Sequence, residues 1–167
     1  MGGSRMHFAD LLRSEHGVSS LEASAERLRS LVESSSANRL IFLAHNGPTG
    51  LGAQRHDIWG CDFRREEGDQ GDVDLEVAIE HARSLGKKVE AVVAGHMHRT
   101  LRGGGQRLWK VEENGSLYVN AACVPRVFSH NGETLRHHVA LRLSKSKADA
   151  QDIFVDSQGR SRADTSA

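Results

Sequence analysis

The stretch Val89-Glu-Ala-Val-Val-Ala-Gly-His-Met-His-Arg99 decides how this chain is read. Behind Lys87 and Lys88 it is an apolar run with the length of a buried strand, and Gly95 ends it where a turn is easiest without a side chain. His96 and His98 follow at the strand's carboxyl end. Residues two apart in extended backbone point to the same side. The spacing therefore predicts two imidazoles facing one spot at the mouth of a sheet, where open α/β sheets bind ligands. Histidine in a turn is ordinarily a solvated surface group. What favours a site is the buried strand and the glycine, because imidazole is also the commonest transition-metal ligand.

A second stretch has the same form. Arg39-Leu-Ile-Phe-Leu-Ala44 is apolar and of strand length, and it delivers His45-Asn46-Gly47-Pro48, with Gly50 and Gly52 in the loop beyond. Between the two strands, Leu75, Ile79, Ala82 and Leu85 mark a helix near residues 73–85 that Gly86 closes. Strand, helix and strand make one crossover, which puts both histidine loops on the same edge. Adjacent strands lie about 4.8 Å apart, so His45, His96 and His98 are candidate ligands for one or two ions.

Gly95-His96-Met97-His98 behind a strand-borne His45 resembles the end of the calcineurin-like metallophosphoesterase signature. That signature runs Asp-x-His, Gly-Asp-x-x-Asp, Gly-Asn-His-Asp/Glu, a lone His and Gly-His-x-His. The resemblance implies a metal-dependent phosphoesterase acting on a phosphoester substrate, with divalent Mn, Fe or Zn as cofactor. His45 and His96 would bind one ion and His98 the other. It also implies an α/β fold, a mixed β-sheet with flanking helices like the second half of a four-layer α/β/β/α sandwich. The flanks His45-Asn-Gly-Pro-Thr-Gly-Leu-Gly52 and Tyr118-Val-Asn-Ala-Ala-Cys-Val-Pro125 are similar to a branch of the family in photosynthetic organisms.

The resemblance covers only the last two motifs. No Asp-x-His and no Gly-Asn-His occurs, so the bridging aspartate and the remaining ligands are missing. Gly68-Asp69-Gln70-Gly71-Asp72 spells Gly-Asp-x-x-Asp but lies between His45 and His96, whereas the family places it ahead of both. It reads as a turn and a helix start lying away from the histidines. The phosphoesterase domain is then present in part and inactive alone. Its sheet expects a partner from elsewhere, either a dimer mate or a complementing N-terminal half of a truncated product. The alternative is a non-catalytic binding or assembly module that retains relic histidines.

The rest of the chain is read from its residues. Acidic and basic side chains balance at 22 each, which gives no general attraction to nucleic acid or anionic membrane. No segment is apolar enough to span a bilayer or to serve as a signal-peptide core. Cys61 and Cys123 form neither a zinc spacing nor a disulfide framework, so the expected setting is intracellular and cytoplasmic, or plastid if an N-terminal region precedes. A glycine turn and a short amphipathic piece with Phe8, Leu11 and Leu12 end at Gly17, and Ser19-Ser-Leu-Glu22 reads as a capping box for a helix carrying Leu21, Ala25, Leu28 and Val32. A long loop runs from His45 to about Asp72 and holds His56 and Asp57 as second-choice site residues. Arg99 reads as a phosphate contact or as a solvated arginine. After His98, segments 107–112, 116–121, 125–129 and 134–143 read as short antiparallel strands joined at Asn114-Gly115 and Asn131-Gly132, with His137 and His138 on opposite faces. One domain over 1–143 and a disordered polar tail over 144–167 complete the reading.

Overall fold

Strands β1 (Arg39–Leu43) and β2 (Lys88–Ala94) lie side by side and parallel in the computed structural model, which describes residues 9–162 apart from 65 and 67. Helix α3 (Val73–Ser84) forms the crossover between them. Strand β3 (Lys110–Glu113) and strand β4 (Ser116–Asn120) complete the first sheet in the order β1-β2-β4-β3. The Asn114-Gly115 turn makes β3 and β4 antiparallel, both residues having positive φ (50° and 74°) as a tight hairpin requires. Against β2, however, β4 runs parallel, not antiparallel. All five β4 residues are buried, the mark of a central strand covered on both faces.

One face of this sheet packs on helices. Leu40, Phe42, Val92, Ala94 and Tyr118 meet Leu75, Ile79 and Ala82 of α3 and Val32 of α2 (Leu21–Ser34). The cap of α2 is Ser20 and not Ser19: its hydroxyl accepts from the Ala23 amide at 3.1 Å, and Ser20 is the residue with extended backbone. Helix α1 (Ala9–His16) ends at Gly17, whose amide donates to Arg13 while that of Val18 donates to Leu12, closing the last turn. The opening glycine turn and Phe8 lie outside the described residues.

The other face packs on a second sheet of four antiparallel strands, β5 (Val127–His130), β6 (Glu133–Leu143), β7 (Ala148–Val155) and β8 (Ser161–Arg162). The molecule is thus mixed α/β, with two sheets and flanking helices. Two expectations are corrected here. Residues 148–155 are not a disordered tail but a strand paired with β6 along its whole length, while 163–167 lie outside the described residues. The inward side chains of β7 include Ala148 and Ala150, which fill a thin space against Ala91, Leu117 and Val119 but carry little apolar signal in sequence. The sheet also finds a partner within the chain itself. That partner covers β2 and β4 and leaves the same face of β1 open, where Ile41 is 42% and Leu43 79% exposed.

A polar joint holds the two sheets. Arg99 Nη1 donates to both carboxylate oxygens of Asp152 at 2.8 and 2.9 Å, and its Nε donates to the Asn120 carbonyl at 2.9 Å. The guanidinium stacks 4.2 Å from the Trp109 ring centroid. His137, 1% exposed, places Nε2 2.8 Å from Asp152 Oδ1. Arg99 is therefore a buried structural cation, neither solvated nor a phosphate contact. His138 is exposed on the opposite face, as the alternation of a strand requires.

Glu90 is a second buried charge, 2% exposed, placed where the β1–β2 register shifts between Leu40 and Ile41. It accepts from Arg39 Nε at 2.6 Å and pairs with Lys88 Nζ at 2.9 Å. Arg39 Nη2 also donates to the Ser144 carbonyl at 2.6 Å, tying the edge strand to the turn between β6 and β7.

Two predictions follow from these joints. Asp152→Ala leaves the Arg99 cation buried without its partner, so it should lower unfolding free energy by about 3–5 kcal/mol in urea. Asp149→Ala, which removes a solvent-facing pair with Lys110 and an exposed hydrogen bond from the Ala150 amide, should move the midpoint far less. Hydrogen bonds from Arg39 and then Lys88 hold the Glu90 carboxyl below its ordinary range. A depressed folded-state pKa means that the unfolded chain takes up the proton first. The stabilisation is then full above the unfolded value of about 4.3 and is lost as pH falls through the folded value. The stability deficit of Glu90→Gln should be constant near neutrality and shrink on acidification below that point. A deficit independent of pH down to the acid transition would count against it.

Candidate metal centre

The parallel ladder continues past the strand ends and sets the site. The Ala44 amide donates to the Val93 carbonyl at 3.1 Å, and the Gly95 amide donates to the His45 carbonyl at 2.9 Å. His45 and His96 consequently leave the sheet as lateral neighbours. His45 Nε2 lies 3.0 Å from His96 Nδ1, with ring centroids 4.9 Å apart and planes inclined by 64°. Both residues are exposed, so the pair is open to solvent.

His98 does not join them in the expected way. His96 has a φ of 65°, which takes the chain out of extended geometry, and the same-side rule for residues two apart no longer holds. Met97 turns into the core instead. Among the described residues no group of three His, Cys, Asp or Glu side chains is placed to hold a metal ion. Of the three histidines read from the sequence, the structure brings two into contact, His45 and His96.

The separation of the two nitrogens is one that two ligands of a single ion would have. Metal–imidazole bonds of about 2.0–2.1 Å put two nitrogens on one ion roughly 2.9–3.4 Å apart, depending on the angle, and 3.0 Å lies in that range. Ligation needs neutral imidazole. The His96 pKa is lowered first by partial desolvation of the ring, although the residue as a whole is exposed; His45 and His98 add to it, and Asp72 opposes it. In the absence of an ion the same geometry is a hydrogen bond between the two rings.

The loop from 45 to 72 is ordered by residues whose roles were not evident in sequence. Trp59 is buried beneath both histidine turns: its Nε1 donates to the Gly95 carbonyl at 3.2 Å, and its indole lies so close to Gly47 that a Cβ there would overlap the ring. Arg107, also buried, donates from Nε to the His98 carbonyl at 3.0 Å, from Nη1 to the carbonyls of Asp57 and Gly60, and from Nη2 to Asp62 at 3.0 Å. It clasps the loop to the His98 turn. Asp69 accepts from Thr49 Oγ1 at 3.0 Å and from the amides of Gly50 at 2.7 Å and Gly71 at 2.8 Å. The second-choice pair is also structural, since Asp57 accepts from the Gln54 amide at 2.7 Å and its contact with His56 is 3.9 Å. The available signal was glycine placement: Gly47 and Gly71 sit where any side chain would meet an indole or the Pro48 carbonyl.

Asp72 starts α3, as expected, and its carboxylate accepts from Nδ2 of Asn46, the residue after His45, at 3.3 Å. Compared with known proteins, the chain matches no family model, no curated protein and no solved structure.

The close approach of Gly47 and Trp59 yields a test of what holds the histidine turns. Gly47→Ala should destabilise the chain by about 1–3 kcal/mol through overpacking. Combined with Trp59→Leu, which opens the space, it should cost markedly less than the sum of the two single changes. Additive losses in a double-mutant cycle would show that the two turns do not rest on this contact.

Proposed function

We propose that this chain is a metal-binding domain of the metallophosphoesterase type, present in part, in which His45 and His96 hold one divalent ion of the Mn, Fe or Zn class. The observation that carries the reading is the 3.0 Å approach of His45 Nε2 and His96 Nδ1 at the carboxyl ends of two adjacent parallel strands. It is the same pair that the family resemblance assigns to a single ion. An ion bound there supplies Lewis-acid polarisation of a phosphoryl oxygen. The residues' own part is to present two neutral nitrogens, held by the strand ladder and by Trp59 from below. Neither histidine acts as a proton carrier. With no third ligand side chain in place among the described residues, the site accounts for binding and not for turnover.

A second reading, a non-catalytic binding or assembly module, is favoured by the open face of β1. Ile41 and Leu43 there continue the inner face of the sheet without cover from the second sheet. Either a second copy of the chain or an N-terminal half bearing the missing motifs would suit that edge.

Calorimetry with Mn²⁺ or Zn²⁺ should give one equivalent bound, lost in His45→Ala and in His96→Ala. Unchanged binding in the double variant would sink the assignment. The chain alone should hydrolyse generic phosphomonoesters and phosphodiesters very slowly or not at all with Mn²⁺ supplied. Robust turnover abolished by His96→Ala would overturn the view that the site is incomplete.

A further inference from the structure

We propose that the open edge of β1 is a self-association surface, on which a second copy of this chain adds its own β1 in antiparallel register about Ile41. The inference rests on the assembly reading above and names its partner. Strand β1 pairs with β2 and, among the described residues, with no other strand. Its bonds to β2 show which way the backbone faces. The Asn38 carbonyl accepts from the Lys88 amide at 2.8 Å, and the Ala44 amide donates to the Val93 carbonyl at 3.1 Å. Amides and carbonyls alternate in direction along a strand, so even-numbered residues face β2. The register slip between Leu40 and Ile41 skips Glu90 of β2 and leaves the alternation of β1 unbroken. Arg39, Ile41 and Leu43 therefore point their backbone groups outward, and their side chains are exposed as well.

The second sheet ends on the same side. Strand β6 pairs with β5 only over Glu133–Arg136, with one further bond from the His137 amide to the Arg126 carbonyl at 2.8 Å. From 138 to 143 its outer edge is open among the described residues, and Val139, Leu141 and Leu143 turn their backbone groups toward it. Val139 and Leu141 pack against the first sheet, while Leu143, on the same face, is exposed. The bond from Arg39 to the Ser144 carbonyl places the end of β6 beside the start of β1. A copy that approaches β1 meets apolar side chains from both layers.

The edge complements itself, which is what selects a second copy. Antiparallel pairing centred on Ile41 sets Ile41 opposite its counterpart and Arg39 opposite the copy's Leu43. All three outward-facing residues then form hydrogen-bonded pairs. Arg39 is the one charged residue of β1, and its charge is already taken up by Glu90. In this register it does not meet the copy's Arg39, whereas a register centred on Arg39 would oppose two like charges. Nothing else along β1 carries the charge or proline that guards an edge.

The test is sedimentation velocity of the 167-residue chain across a concentration series, with hydrogen exchange of the β1 amides followed in parallel. Wild type is compared with Leu43→Lys and with Ile41→Cys in a Cys123→Ser background, all checked for folding by urea midpoint. Expected is a concentration-dependent dimer whose dissociation constant rises about ten-fold or more in Leu43→Lys. The β1 amides should slow their exchange as the dimer forms. Mild oxidation should link two Ile41→Cys chains, since Cα atoms of such a pair lie about 5.5 Å apart, within disulfide reach. A dimer that ignores Leu43→Lys and gives no cross-link uses another face and overturns the proposal. A monomer with fast-exchanging β1 amides overturns self-pairing and leaves the edge to a different polypeptide. Slow exchange at every concentration in a monomer would mean that the edge is already covered, which removes the assembly reading along with the proposal.

Discussion

The Gly95 amide to His45 carbonyl hydrogen bond, the last rung of the β1–β2 ladder, is the contact on which the rest of the site depends. Parallel strands keep their carboxyl ends level only if the rungs run to the end, and neighbouring strands are separated by about 4.8 Å. That spacing is too large for two backbones to share an ion but suits two imidazoles leaning toward each other. A Cβ at Gly95 would meet the His45 carbonyl and Ala122 only at ordinary contact distance, so the approach itself does not demand a glycine. The positive φ of His96 then lifts its ring toward His45 and sends Met97 inward as an anchor. Histidine enters the left-handed region more readily than most residues, at some cost in strain.

Everything beneath the pair serves to keep these two turns from drifting apart. Trp59 supports Gly47 and Gly95 at once, so a single indole fixes the loops after β1 and β2 relative to each other. Arg107 does the same for the His98 turn, with its donors satisfied mainly by backbone carbonyls. A buried guanidinium is costly to desolvate, and several charge-assisted bonds are what offset that cost. Arg99 follows the same logic one layer away, where it joins the sheets through Asp152 and His137. The long irregular loop is therefore a set of polar clasps around one aromatic ring. Ordered in this way, it can hold a precise geometry without regular secondary structure.

Legibility in the sequence followed the range of the interaction. Strand β2 was visible because a parallel strand buried on both faces reads as a continuous apolar run, β1 because its run is apolar too although one of its faces is open, and α3 because its inward residues recur at helical spacing. Asn114-Gly115 and Asn131-Gly132 were visible because a tight hairpin needs two residues tolerant of positive φ. The His45–His96 meeting followed from these local elements. Strand β7 was not visible, since Ala148, Ala150 and Asp152 earn their places by fitting against a sheet that sequence alone does not position. Arg99 was misread for the same reason, its partner Asp152 being 53 residues away. The positive φ of His96 was not visible either, since no neighbouring residue type announces that angle.

The open edge and the His45–His96 pair meet at one place. Strand β1 is the end strand of its sheet, carries Ile41 and Leu43 uncovered on the inner face, and bears His45 at its tip. Covering a large apolar side chain is worth about 1.5–3 kcal/mol, so this face has a standing tendency to acquire a neighbour. Edge strands that avoid such pairing present charge, proline or a bulge along their length. β1 has Arg39 at its start and a register irregularity between Leu40 and Ile41, and beyond them only apolar residues up to His45. A segment that pairs with this strand in continuation of the sheet would end beside His45, on the side opposite His96. The surface that most needs burial and the proposed ion site are therefore reached by the same addition to the fold.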